Sequence, residues 1–176
     1  MSRAFTMEDD SLEAPIIPPR PALPAGTPNY VMPQGLEQLR LELQTLEAER
    51  TQAEANRENE ADRTRRLTVL NGRLGALQER IASAKVVDPR TQPTNEVRFG
   101  ATVTLRTRSG GKPGAECHFT IVGVDEASIA EGKVAFVAPI ARAVVGAQLG
   151  QAITLHLGPK EEEEVVEVAA ISYDAE

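Results

Sequence analysis

Three carboxylates fall within five residues in the run Arg57-Glu58-Asn59-Glu60-Ala61-Asp62-Arg63. Glu58, Glu60 and Asp62 offer hard anionic oxygens, the ligand type that Mg²⁺ accepts while keeping several of its own waters. One or two such groups brought in on a probe can complete a loosely held metal site. The same residues also make an ordinary solvated turn, and residue type alone does not separate the two uses. A second acidic run, Glu161–Glu164, is expected to be a solvated hairpin turn and not a metal site. Cys117-His118 would suit a thiol nucleophile only if an acid oriented the imidazole. No acid has that spacing, and both residues fall in an expected strand, so they and His156 are read as packing or surface groups. Arg142, on an expected short helix, either contacts a partner or caps its own domain.

The elements that must position the first cluster are legible in the flanking leucines. Leu36, Leu39, Leu43, Leu46, Arg50 and Ala53 step along one segment at alternating three- and four-residue intervals. Leu67, Leu70, Leu74, Leu77, Ile81 and Ala84 repeat the pattern. This is the spacing of a coiled-coil seam, which keeps one apolar stripe turned toward a partner helix. Folding the chain at Glu60 pairs the two series in mirror order, from Leu36 with Ala84 to Ala53 with Leu67. The competing arrangement is one uninterrupted helix that dimerises, since no Gly or Pro marks a turn. The hairpin is favoured because residues 54–66 carry no apolar side chain larger than Ala, and Asn56 and Asn59 suit a turn. Helix one is expected from Pro33 to Arg57 and helix two from Asp62 to Lys85, each roughly 35–40 Å long. Pro33 is tolerated at a helix entry because the amide there has no intrahelical partner.

Around this hairpin the chain divides by composition. Residues 1–32 carry Glu8, Asp9, Asp10 and Glu13, then a run from Pro15 to Pro28 that includes Pro18, and are expected to be a flexible leader. Residues 33–87 form the hairpin, with its tip near 57–63, and their charges balance at nine acids and nine bases, as a solvated rod requires. Residues 88–96 read as a linker. Residues 97–176 show alternating strand patterns at 97–106, 117–124, 152–157 and 164–173 and a short apolar run at 133–137. A short helix follows Pro139 and ends at Gly146. Strands in runs with one helix against them make an α+β domain with an antiparallel sheet.

The net charge of −7 argues against non-specific binding to duplex DNA or an anionic membrane. The single cysteine excludes an intramolecular disulfide and a multi-cysteine zinc site. No stretch approaches the roughly 20 apolar residues of a membrane span. Met1-Ser2-Arg3-Ala4-Phe5 lacks the apolar core of a secretion signal, so a soluble cytoplasmic protein is expected.

Several segments resemble the Gre family of bacterial transcription elongation factors. They are Pro33-Gln34-Gly35-Leu36-Glu37-Gln38-Leu39 and Ala84-Lys85-Val86-Val87-Asp88 at the two ends of the hairpin, the run Phe119 to Ala127, and Ala138-Pro139-Ile140-Ala141-Arg142-Ala143-Val144-Val145-Gly146. The resemblance spans about residues 31–174. It implies an N-terminal antiparallel coiled coil followed by a C-terminal FKBP-like domain. That domain docks on RNA polymerase, here through Pro139, Ile140 and Arg142, while the coiled coil enters the secondary channel. It implies a monomer that recognises no DNA sequence, contacts nascent RNA only through the polymerase and binds no membrane. It also implies no cofactor in the free protein: the Mg²⁺ belongs to the polymerase active site, and Glu58, Glu60 and Asp62 would reach it there. The factor is then no enzyme itself but a stimulator of RNA cleavage by the polymerase.

The tip departs from the family pattern, which reads Gly-Asp-x-x-Glu-Asn-Ala-(Asp/Glu)-Tyr. Aligning Glu58-Asn59 with the motif places Ala55 where the Asp belongs. The hairpin is also about one heptad per arm shorter, or ~10 Å of reach. Both departures keep open a regulator that occupies the channel without cleaving. A third reading, a prolyl isomerase, follows from the FKBP-like shape alone. It is disfavoured because the second domain has no Trp and only Phe99, Phe119, Phe136 and Tyr173 to grip a proline.

Overall fold

The computed structural model describes residues 16, 17, 19–157 and 162–173. The leader acids Glu8, Asp9, Asp10 and Glu13, the prolines Pro15 and Pro18, and Glu161 lie outside these residues. Two helices form the hairpin: α1 (Pro33–Ala55) and α2 (Glu60–Ser83). Leu39, Leu46, Ala53, Leu70, Leu74 and Leu77 are all buried in one cluster, with Leu43, Leu67 and Ile81 packed against it. The mirrored leucine series therefore forms a seam inside one chain.

The ends of the hairpin differ from expectation. Its turn is Asn56–Asn59, because the Asn59 carboxamide accepts the Asp62 amide at 3.2 Å and starts α2 early, at Glu60. The outermost expected pair, Leu36 with Ala84, is not part of the seam. Ala84 has left the helix and opens β2 (Ala84–Val86), which pairs in parallel with β1 (Asn29–Val31). Residues 29–31, expected to end a flexible leader, are thus built into the fold. Asn29 is buried, and its amide nitrogen donates to the Arg80 carbonyl at 2.9 Å and to Ser83 Oγ at 3.2 Å.

Beyond a 3-10 turn at Pro89–Thr91, the sheet comprises β3 (Thr102–Ser109), β4 (Glu116–Val122), β5 (Lys133–Ala135), β6 (Ala152–Leu157) and β7 (Glu162–Ser172). Their order is β5-β4-β3-β7-β6. A third helix, α3 (Pro139–Val144), packs its Ala141 and Val144 into the core with Val103, Leu105, Phe119, Ile121 and Val168.

Three local expectations are corrected. The strand expected from Val97 begins only at Thr102, because Gly100 turns the chain with φ +88° and the Ala101 amide closes on the Arg98 carbonyl. Val97, Phe99 and Ala101 are nevertheless buried, which is what made the run look like a strand. The sheet is not wholly antiparallel. Residues 123–132 carry the chain back beside Thr120, in the last part of β4, so β5 runs parallel to it from Lys133. Glu162, Glu163 and Glu164 are not turn residues but open β7 opposite Leu157, His156 and Leu155. Among the described residues, no helix is long and apolar enough to cross a membrane.

Candidate functional site: the hairpin tip and its mount

The tip is shaped by local hydrogen bonds. The Glu58 amide donates to Asn56 Oδ1 at 3.1 Å, and Asn59 caps α2. Glu58, Glu60 and Asp62 are all exposed, and among the described residues none is ion-paired. They do not converge: no group of three or more His, Cys, Asp or Glu among the described residues could hold a metal ion. The chain brings the three acids to one exposed end without building a closed cation site. Such a tip can lend one or two oxygens to a metal held elsewhere. Glu60 and Asp62 also occupy the first turn of α2, where negative charge is favoured by the helix dipole. A structural role therefore accompanies any chemical one.

At the other end, two adjacent acids in the turn after β4 hold the roots of both helices. Glu126 Oε2 accepts the Met32 amide at 3.1 Å and the Gly123 amide at 2.9 Å. It serves as a tertiary cap for α1, which has no side-chain cap of its own. Gly35 permits this approach, since a Cβ there would collide with the Glu126 carboxyl. Asp125 Oδ2 accepts from Arg80 Nη1 of α2 at 3.0 Å, and Asp125 Oδ1 from Arg20 Nη2 at 3.1 Å. Arg20 also forks onto Glu42 of α1, at 2.8 and 3.1 Å. That hydrogen-bonded pair, aided by Asp125 and opposed by burial, raises the Arg20 pKa above the usual guanidinium value.

Burial raises the Glu126 pKa, and the amides of Met32 and Gly123 oppose the shift without cancelling it. The folded state thus binds this proton more tightly than the unfolded chain. The contribution of Glu126 to stability is most favourable below its ordinary value of about 4.5 and falls as pH rises through the raised folded value. Asp88 and Glu167, held low by hydrogen bonds from Arg90 and Arg108, act in the opposite direction, losing stabilisation as pH falls. The Glu126→Gln variant keeps an acceptor but cannot ionise. Relative to wild type it should gain stability as pH is raised from about 4.5 toward neutrality. Urea unfolding of both proteins at several pH values checks this, and parallel curves would contradict it.

The other sequence-predicted residues lie on α3. Pro139 and Arg142 are exposed, whereas Ile140 is half-buried and packs on the core. Val145 and Leu149, exposed apolar neighbours that sequence reasoning passed over, extend this surface. Arg142 and Val145 also border a cleft of about 570 Å³ with Tyr30, Phe99 and Phe136. Those three rings meet at tilted and edge-to-face angles, with centroids 5.5 to 5.7 Å apart. Cys117 and His118 are exposed on β4, where His118 Nδ1 meets Thr104 Oγ1 at 2.9 Å. His156 is exposed on β6. The mount itself, Arg20, Glu42, Arg80, Asp125 and Glu126, was missed as a unit. Its only sequence signal was the acidic pair that ends an apolar run.

Residues 92–173 match the family model described as transcription elongation factor, GreA/GreB, C-terminal. The chain is 34% identical over 151 residues to transcription elongation factor GreA of Alkalilimnicola ehrlichii, covering 77% of this chain and 93% of that protein. It is 32% identical over 161 residues to transcription elongation factor GreB of Neisseria meningitidis serogroup B, covering 84% and 95% respectively. A solved GreA/GreB structure from Nitrosomonas europaea aligns over 82% of this chain and 98% of its own, with 22% identity and a TM-score of 0.40. With near-full-length relatives above 30% identity, and a matched model over the sheet that carries the mount, the chain belongs to the GreA/GreB family of transcription elongation factors.

Proposed function

We propose that this protein binds bacterial RNA polymerase through its sheet domain, enters the secondary channel with its hairpin and stimulates cleavage of backtracked RNA. One observation carries the reading: three exposed, unpaired carboxylates stand at the free end of a hairpin whose other end is mounted on the family-matched sheet domain. Catalysis belongs to the polymerase. The tip lends oxygens from Glu58, Glu60 and Asp62 to Mg²⁺ in that active site, and the free protein needs no cofactor. The factor acts in the cytoplasm as a monomer, a state supported by the seam in which each helix packs on the other within one chain.

Docking is assigned to the α3 face, through Pro139, Arg142 and the adjoining edge of Ile140. Arg142→Glu should weaken binding to purified polymerase by about tenfold or more, the scale of an interfacial charge reversal. Fluorescence anisotropy with labelled factor measures it. Undetectable binding by the wild-type chain would overturn the whole reading. The altered tip and arms of 23 and 24 residues favour a second reading, a channel-occupying regulator that does not cleave. Polymerase binding and displacement of a cleavage-competent factor, without cleavage, would identify it.

A further inference from the structure

We infer that Arg20 is a positioning residue: it straps the hairpin to the sheet domain and thereby sets the direction in which the tip points. The functional relevance of this inference rests on the polymerase reading above, but the geometry does not. Two contacts tie the lower part of the hairpin to the sheet domain. Glu126 holds Met32 one residue before α1, and Asp125 holds Arg80 three residues before the end of α2. In the mirror register Arg80 lies level with residue 40, so these ties hold α1 at its root and α2 about 10 Å up, and neither grips the shaft of α1.

Arg20 adds a tie on the shaft of α1. Its guanidinium forks onto Glu42, nine residues along α1 from Pro33 and so about 13 Å up the rod. The same guanidinium donates to Asp125 Oδ1 on the sheet domain through both Nε and Nη2. One planar fork thus joins a point on the shaft to the body, a geometry that a lysine cannot reproduce. The bridge is shielded at its centre and at the body: the side chain of Arg20 is 19% exposed and that of Asp125 5%.

The segment carrying Arg20 is seated on both sides of it. The Pro21 carbonyl accepts from Arg80 Nη2 at 2.6 Å. Ile17 lies against Gly72 of α2, where the missing side chain leaves room for it. The strap therefore touches α1, α2 and the sheet within five residues of sequence, and in it Arg20 joins the shaft of α1 to the body.

The test is a distance distribution in the free, full-length protein. Nitroxide labels are placed on the native exposed Cys117 of β4 and on Thr64→Cys near the tip, and the pair is read by pulsed electron paramagnetic resonance. With Arg20 present, a single narrow peak is expected. Arg20→Ala should replace it with a broad or multiple distribution while the unfolding midpoint stays close to wild type, since Asp125 keeps Arg80. Arg20→Lys, able to reach only one carboxylate, should fall between the two. Glu42→Gln weakens the upper tie alone and should also broaden the peak. An unchanged distribution in both Arg20→Ala and Glu42→Gln would overturn the inference. So would a broad distribution already present in the wild-type chain. In polymerase assays, Arg20→Ala should lower cleavage per bound factor and leave binding intact. Absent polymerase binding by the wild-type chain would sink the functional reading and leave the distance result standing.

Discussion

RNA 3′-end cleavage in backtracked elongation complexes is expected to fall by about a hundredfold when Glu58 and Glu60 become Gln and Asp62 becomes Asn. A hundredfold in rate is about 2.7 kcal/mol of transition-state stabilisation. That is within the several kcal/mol a correctly placed metal supplies, and less than complete loss because the polymerase keeps its own ligands. The amide replacements matter. Glu60 and Asp62 lie in the first turn of α2, so removing their charge also costs about 0.3–1 kcal/mol each of helix stability. Circular dichroism separates that modest loss from the catalytic one. Polymerase affinity should be unchanged, because these side chains stand at the far end of the rod from α3. Wild-type factor that binds but does not stimulate cleavage would reassign the tip to the channel-occupying regulator. Equal cleavage by wild type and triple variant would remove the tip acids from the chemistry.

The largest expected effect on stability comes from Asp125→Ala, with a loss of about 3–5 kcal/mol, the usual cost of removing one partner from a buried ionic cluster. The side chains of Arg20, Arg80 and Asp125 are only 19%, 12% and 5% exposed. Deleting the carboxylate leaves Arg80 with only the Pro21 carbonyl and Arg20 with Glu42 alone, where water cannot readily make up the loss. Deleting Arg20 instead leaves Asp125 paired with Arg80, and leaves Glu42, 36% exposed, to solvent. The two variants should therefore differ sharply although they share one contact. Urea unfolding followed by circular dichroism measures both. A loss in Asp125→Ala no larger than in Arg20→Ala would show that solvent already screens the cluster.

The seam of the hairpin was legible because apolar burial leaves a periodic record. Leu39, Leu46, Leu70, Leu74 and Leu77 are buried where the three-four spacing puts them. The turn was legible to within a few residues, and its shift to Asn56–Asn59 follows from a single side-chain cap that spacing does not weigh. The exposure of the tip acids was also legible, since nothing apolar surrounds them in the chain.

The mount was not legible, for a physical reason. Arg20, Glu42, Arg80 and Asp125 are separated by up to 105 residues, and each alone resembles an ordinary surface charge. Charge carries no periodicity, so its partners emerge only after the apolar elements have set the geometry. Gly100 hid in the same way: Val97, Phe99 and Ala101 alternate like a strand, yet the chain turns at the glycine between them. The direction of β5 depends on the path of the 123–132 connection, which three short strand residues do not encode.

The small parallel ladder of β1 and β2 has a consequence for the order of folding. Val31 pairs with Val86 across the entire hairpin, so in an unstructured chain this contact would close a loop of more than fifty residues. Three-residue strands contribute too little to meet that entropy alone. Once α1 and α2 have zipped together, their ends already lie side by side and the effective loop shrinks to a few residues. The closure then becomes cheaper by about 2 kcal/mol on a logarithmic length dependence. The ladder should therefore form after the hairpin, as a latch set by the helices, and open before them when the protein unfolds.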